Sequence, residues 1–100
     1  MKIKIRERVL LLGLFPKEMD IPTLVIKKDV ADKLNLSQEE VLDSGFRAEN
    51  GSLVWDNNIE KDIEFTNAEL SFVKKSIKDA SEAKKILDDH YDLIKLFDLM

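Results

Sequence analysis

The sequence contains no cysteine and only two prolines and three glycines among its 100 residues. The absence of cysteine excludes disulfides, thiol catalysis and cysteine-ligated zinc, and it is typical of a reducing compartment. The longest apolar run, residues 9–15, spans seven residues, whereas a membrane helix needs about 20. We therefore expect a cytoplasmic protein that does not enter a membrane.

Apolar residues make up 44% of the chain, which is typical of folded domains, and we expect a single domain covering residues 1–100. Charge is unevenly distributed around a net value of −4. Residues 1–28 carry seven bases and three acids, whereas residues 29–50 carry two bases and six acids. Basic residues therefore concentrate at one end of the chain only, which is unusual for a nucleic-acid-binding surface.

Helices are predicted for most of the first 45 residues. Residues 1–6 alternate between apolar and basic side chains, which fits a short strand, and a helical start fits nearly as well. Residues 6–15 are predicted as a short buried helix that Pro16 ends. A second helix is predicted up to about Leu34, although residues 23–26 also fit a strand.

Capping residues mark where these helices begin and end. Asp20 or Thr23 is expected to cap the second helix. Ser37 and Glu40 form a capping box, in which each side chain bonds the backbone amide of the other, and they begin a third helix. That helix is short, because Gly45 tolerates the left-handed conformation that ends it.

The strongest strand signal lies around Asn50 and Gly51, the dipeptide that best tolerates a tight hairpin turn. Residues 46–49 and 52–55 form the two predicted hairpin strands. A third strand over residues 61–65 would complete a small antiparallel sheet of three strands.

Two helices are predicted for the C-terminal part. Thr66 and Glu69 form a second capping box and begin the longest helix, which we expect to pack on the sheet. Its apolar stripe consists of Leu70, Val73, Ile77 and Ala80. After Ala80 the apolar residues no longer fall on the same face of the helix. We therefore expect a break before a final helix capped by Asp88. The predicted fold class is α+β, with N-terminal helices, a small antiparallel sheet containing the hairpin, and two C-terminal helices.

Residues 28–41 resemble a helix-turn-helix motif. Ala31, Asn35 and Val41 satisfy its need for a small contact residue, a turn residue and a branched apolar residue. With the hairpin as a wing, residues 23–56 resemble a winged helix.

The predicted recognition helix of this motif carries Glu39, Glu40 and Asp43 and no base. Three carboxylates in a DNA groove would repel the phosphates that wall it. We therefore interpret the motif as a way of packing helices and not as a DNA reader.

His90 is the only histidine, and three aspartates lie within two residues of it. Helical geometry directs His90 to the side of Ile94 and Phe97, away from Asp88 and Asp92. We expect a packed, hydrogen-bonded imidazole and no metal site. The sequence contains no nucleophile elbow and no phosphate-binding loop. We therefore predict no enzymatic activity and no cofactor.

Several short segments resemble a family of small uncharacterised proteins encoded in bacteriophages and prophages. Family members usually have glycine at the place of Met19 and threonine near Asp88, where this chain departs from the pattern. The resemblance implies a viral protein in the host cytoplasm that acts by binding another macromolecule, and it brings no catalytic or binding residues. The matching segments are Arg8–Glu18, Thr23–Ile26, Gln38–Glu40, Val54–Trp55 and Asp89–His90 with Leu93 and Phe97.

The leading hypothesis is a non-enzymatic accessory protein that binds a host or viral protein and inhibits a host process or defence. One predicted docking surface is acidic and consists of Glu39, Glu40, Asp43 and Glu49. The other is the apolar face of the last helix and consists of Tyr91, Ile94 and Phe97. Homo-oligomerisation through that helix would use the same apolar surface.

The alternative hypothesis is a winged-helix DNA-binding protein that contacts phosphates through its basic N-terminal region. Such contacts predict an affinity that falls steeply with salt. The residues assigned to this role are Lys2, Lys4, Arg6, Arg8, Lys27 and Lys28.

Overall fold

Five α-helices, four short strands and one 3₁₀ turn form the computed structural model, which describes residues 1–99. The predicted α+β class is confirmed. The elements are β1 (Lys2–Lys4), α1 (Ile5–Leu14), α2 (Ile21–Leu34), α3 (Gln38–Ser44), β2 (Arg47–Glu49), β3 (Ser52–Val54), β4 (Glu60–Asp62), α4 (Asn67–Glu82), the 3₁₀ turn (Asp88–His90) and α5 (Tyr91–Leu96).

The start of α2 settles two alternatives that the sequence leaves open. The Asp20 carboxylate accepts a hydrogen bond from the Thr23 amide at 2.9 Å, so Asp20 is the cap. Hydrogen bonds from the Thr23 side chain and from its amide lower the pKa of Asp20. Residues 23–26 are therefore helical and not a strand.

The two predicted capping boxes both form. Ser37 pairs with Glu40 at the start of α3, and Thr66 pairs with Glu69 at the start of α4. Gly45 follows α3 with a φ of +73°, the left-handed conformation expected of a glycine C-cap. These helix ends are local events, since each depends on bonds between residues only three or four positions apart.

The strands form two separate two-stranded sheets, so the expected three-stranded sheet is wrong. β4 covers residues 60–62 and pairs antiparallel with β1, which places Lys2 opposite Asp62 and Lys4 opposite Glu60. Opposite charges directly across a ladder stabilise an antiparallel pair. Ile3 lies between the two lysines and is fully buried, which anchors the sheet to the core.

The other sheet is the hairpin of β2 and β3, in which Glu49 lies opposite Ser52. Asn50 and Gly51 connect the strands with φ values of 53° and 78°. The hairpin follows α3 directly, and beside it the rings of Phe46 and Trp55 stack with centroids 6.0 Å apart.

Helix α4 packs against α2 and α1, and the expected packing on the sheet is wrong. Val73, Ile77 and Ala80 are buried as predicted, whereas Leu70 is only partly buried. The sheets are too narrow to cover a 16-residue helix, so the neighbouring helices do so. The apolar core consists of Ile3, Leu11, Phe15, Val30, Leu34, Ile63, Phe72, Val73, Ile77, Leu93 and Phe97.

A partly buried ion pair also joins α2 to α4. Lys33 donates from Nζ to Glu69 Oε1 at 2.6 Å and to the Glu64 carbonyl at 2.9 Å. Burial alone would raise the pKa of Glu69, but hydrogen bonds from Lys33 and from the Thr66 amide outweigh it, and the pKa is lowered.

Candidate functional site

Arg8 lies in the middle of the apolar helix α1 and is fully buried. Its guanidinium donates from Nε to the Leu34 carbonyl at 2.7 Å and from Nη2 to the Asn35 carbonyl at 2.7 Å. These carbonyls stand at the C-terminal end of α2, where the helix dipole favours a cation. Arg8 therefore fixes the end of α2 against α1.

The same guanidinium forms a bidentate pair with Glu40 of α3. Nη1 lies 2.6 Å from Glu40 Oε2, and Nη2 lies 3.3 Å from Oε1. Lys61 adds a longer ionic contact at 3.8 Å. The hydrogen bond from Arg8 lowers the pKa of Glu40 to about 2. Glu40 also accepts the Ser37 amide hydrogen bond that closes the capping box, so one carboxylate holds both Arg8 and the start of α3.

Two sequence-based site assignments are therefore corrected. Arg8 was assigned to DNA phosphates, but it is buried and all its bonds go to α2 and α3. Glu40 was assigned to an acidic docking surface, but its carboxylate is engaged by Arg8 and is only 16% exposed. Arg8 directly precedes the apolar run of residues 9–15, and a base beside such a run is the signal that could have indicated a buried, paired charge.

The ion pair predicts a pH dependence. Glu40 has an ordinary pKa of 4.5 and a folded-state pKa of about 2, so it binds a proton more readily in the unfolded chain. Its stabilising contribution is complete above about pH 4.5 and is lost as the pH falls towards 2. We expect Glu40→Gln to flatten the stability profile in this window, measured by urea unfolding at several pH values. An equally steep acid loss in the variant would contradict the assignment.

Exposed acids remain on the outer face of α3 and on the hairpin. Glu39 and Asp43 are one helical turn apart and exposed, while Glu49 is exposed and pairs with Arg47 at 3.0 Å. Leu42 is 82% exposed. Successive 100° steps around the helix place Leu42 between Val41 and the two acids.

Next to α3 lies an apolar groove between α1, the α2–α3 turn and the hairpin. We call it the α3 groove, and its volume is about 470 Å³. All but one of its lining residues are apolar, and the lining consists of Val9, Leu12, Asn35, Leu36, Val41, Phe46 and Leu53. The motif residue Val41 therefore forms one wall of this groove.

The apolar surface assigned to the last helix is smaller than predicted. Tyr91 is 56% exposed, and Ile94 is partly buried against the core. Phe97 is 1% exposed, and its ring lies 6.4 Å from that of Phe65, so its assignment to a docking surface is corrected. Phe97 faces inward with Leu93 one turn before it, because both occupy the same side of a short helix.

The bases assigned to DNA lie beside acids or carbonyls. β1 places Lys2 and Lys4 opposite Asp62 and Glu60. The Asp62 carboxylate also accepts from the N-terminal amine at 2.8 Å, and this bond lowers the pKa of Asp62. The surface around β1 therefore carries both signs of charge.

Arg6 donates to Asp89 at 2.9 Å, and Arg8 is buried. Lys27 donates to a backbone carbonyl at 2.7 Å, and Lys28 is exposed on α2. The structure therefore does not bring the six bases together as one phosphate-binding surface.

His90 is 5% exposed, and its Nδ1 accepts the Leu87 amide hydrogen bond at 2.9 Å. Among residues 1–99, no three or more histidines, aspartates or glutamates are grouped so that they could hold a metal ion. In the same part of the chain, no helix has the length and apolar character needed to cross a membrane.

Comparison of the chain with protein-family models, curated proteins and solved structures finds no match. The relation to phage-encoded proteins, suggested by short sequence segments, stays a prediction.

Proposed function

We propose that the chain is a non-enzymatic binding protein that docks a partner protein at the α3 groove. The observation that carries the proposal is the groove itself, in which six of the seven lining residues are apolar. Leu42 follows the lining residue Val41 in α3 and is 82% exposed, so it adds apolar surface on the same short helix. Single exposed leucines are ordinary, but an apolar groove of this kind is typical of an interaction site.

The charges around the groove indicate the chemistry of the partner. Glu39 and Asp43 are exposed beside Leu42, and among residues 1–99 neither carboxylate is bonded to a base. An amphipathic helix with an apolar face and flanking lysines or arginines complements this arrangement. Its apolar side chains would enter the groove while its bases pair with the two acids.

The phage-family resemblance suggests a host or viral protein as this partner, and inhibition or redirection of a host process as the outcome. DNA binding is the weaker alternative, because a polyanion approaching β1 meets Glu60 and Asp62 beside the lysines.

The test compares two equally drastic changes at exposed leucines. Leu42→Asp places a charge beside the groove, whereas Leu24→Asp changes a leucine of α2 that is 49% exposed and lines no groove described in this protein. Partners are captured from an extract of the producing cells with the tagged protein. We expect Leu42→Asp to weaken capture about tenfold or more, because burial of one leucine is worth roughly 1.5–3 kcal/mol, and Leu24→Asp to retain it.

Carbodiimide cross-linking then identifies the contact, since it joins a carboxylate directly to a lysine of the partner. We expect cross-links at Glu39 or Asp43. A wild-type protein that captures only DNA or only a second copy of itself contradicts the proposal, as does equal capture by both aspartate variants.

A further inference from the structure

A second groove lies between the C-terminal halves of α1 and α4 and the segment 83–90. We call it the His90 groove, and its volume is about 710 Å³, within the usual range for small-molecule sites. It does not overlap the proposed docking face except at Val9, which lines both grooves. Its apolar walls include Val9, Leu10, Leu14, Ala80, Ala83 and Leu87.

His90 supplies a directed hydrogen-bond donor to this groove. Because Nδ1 accepts the Leu87 amide bond, the neutral ring carries its proton on Nε2. Within residues 1–99, Nε2 has no hydrogen-bond partner, yet no buried side-chain nitrogen or oxygen is left unsatisfied. Nε2 of this 5%-exposed side chain therefore reaches the surface of the groove that the residue lines.

The charges along the groove are predominantly positive. Lys17 and Lys85 both line it, and in the described part of the chain neither ammonium group bonds an acceptor. The one carboxylate of the lining, Asp79, is paired with Lys75 at 3.0 Å. An anionic group entering the groove meets two free cations, one N–H donor and a single carboxylate, that of Asp79, whose charge Lys75 offsets.

Gly13 is the third independent feature of the groove. It lies inside α1, where glycine destabilises a helix relative to alanine, and its φ is not in the left-handed region. A Cβ atom at this position would have no neighbour within 4 Å. Neither backbone conformation nor packing requires the glycine, and its missing side chain leaves the groove open.

We propose that the His90 groove binds a small amphipathic acid. Its carboxylate accepts the hydrogen bond from His90 Nε2 and pairs with Lys17 and Lys85. Its apolar body lies over Gly13, between the walls formed by α1 and α4. This site is separate from the proposed partner-docking function and does not depend on it.

The test uses decanoate, with decanol as the uncharged probe of equal length. Because the chain has one histidine, the ring nitrogens of His90 give unambiguous NMR signals. We expect saturable shifts of these signals and of α1 amides with decanoate, at least tenfold weaker binding of decanol, and no saturable shift at α3. Decanol binding as tightly as decanoate overturns the role of the carboxylate, and an absence of saturable shifts overturns the site.

Gly13→Leu is the blocking variant, because leucine is a good helix former and its side chain would occupy the groove. We expect it to reduce decanoate affinity at least tenfold without lowering the midpoint of thermal unfolding. Gly13→Ala is the matched control and should keep binding within about threefold while raising that midpoint.

The double variant Lys17→Gln with Lys85→Gln removes both positive charges of the groove. Both lysines are exposed, so we expect the protein to fold as before. This double variant should lose decanoate affinity about tenfold and leave decanol affinity unchanged. Undiminished decanoate binding by either the Gly13→Leu or the double lysine variant would place the ligand elsewhere and overturn the proposal.

Discussion

Replacement of Glu40 with alanine is expected to lower the free energy of unfolding by roughly 3 kcal/mol. The substitution removes the carboxylate that accepts two bonds from the fully buried guanidinium of Arg8. An unpaired buried charge is far more costly than a lost surface contact. The shift of the Glu40 pKa from 4.5 to about 2 indicates an effect of the same order.

Glu39→Ala is the matched control, because Glu39 is the preceding residue of the same helix and is exposed. Its effect should stay within about 0.5 kcal/mol in urea unfolding. The double variant Arg8→Met with Glu40→Met should lose less stability than the sum of the losses of Arg8→Met and Glu40→Met measured separately. In the double variant neither charge is left buried without its partner. Equal effects of Glu39→Ala and Glu40→Ala would contradict the buried pair.

Phe97→Ala is expected to be at least as severe, at about 3–5 kcal/mol. The ring is 1% exposed and packs near Phe65 in the core, so its removal leaves a cavity that a short terminal helix cannot fill. Tyr91→Ala serves as the control, because Tyr91 begins the helix that Phe97 caps and is 56% exposed.

The comparison of these two variants also tests where the apolar surface of α5 lies. If Phe97 were part of an exposed docking face, as the sequence predicts, both variants would unfold at nearly the wild-type urea concentration. A large loss of stability for Phe97→Ala alone places it in the core.

Helix boundaries were predictable because the signals for them are local. Ser37 and Thr66 each bond an amide three residues ahead, and Gly45 adopts its left-handed conformation within its own turn. The pairing of β1 with β4 joins residues about 60 positions apart, and no local pattern encodes it. The opposite charges of Lys2 and Asp62 are consistent with that pairing, but they do not predict it.

The candidate sites were less predictable because a residue's type does not reveal whether its side chain points into the protein or towards the solvent. Arg8 counts as a surface base in any charge sum, and only the carbonyls at the end of α2 explain its burial. The capping box marks Glu40 as the partner of Ser37, but no local pattern links Glu40 to Arg8. The two grooves arise where separate elements leave a gap, so the sequence contains no motif for either.

The chain from Gly45 to Asn57, which contains the hairpin, buries none of its side chains. A segment with so little apolar burial opens at a lower free-energy cost than a core helix such as α4. Its amide hydrogens should therefore exchange with solvent through local opening, while those of α4 should exchange only through global unfolding. Because Phe46 and Leu53 of this segment line the α3 groove, we expect the groove to adjust its width to a bulky side chain while the core stays intact.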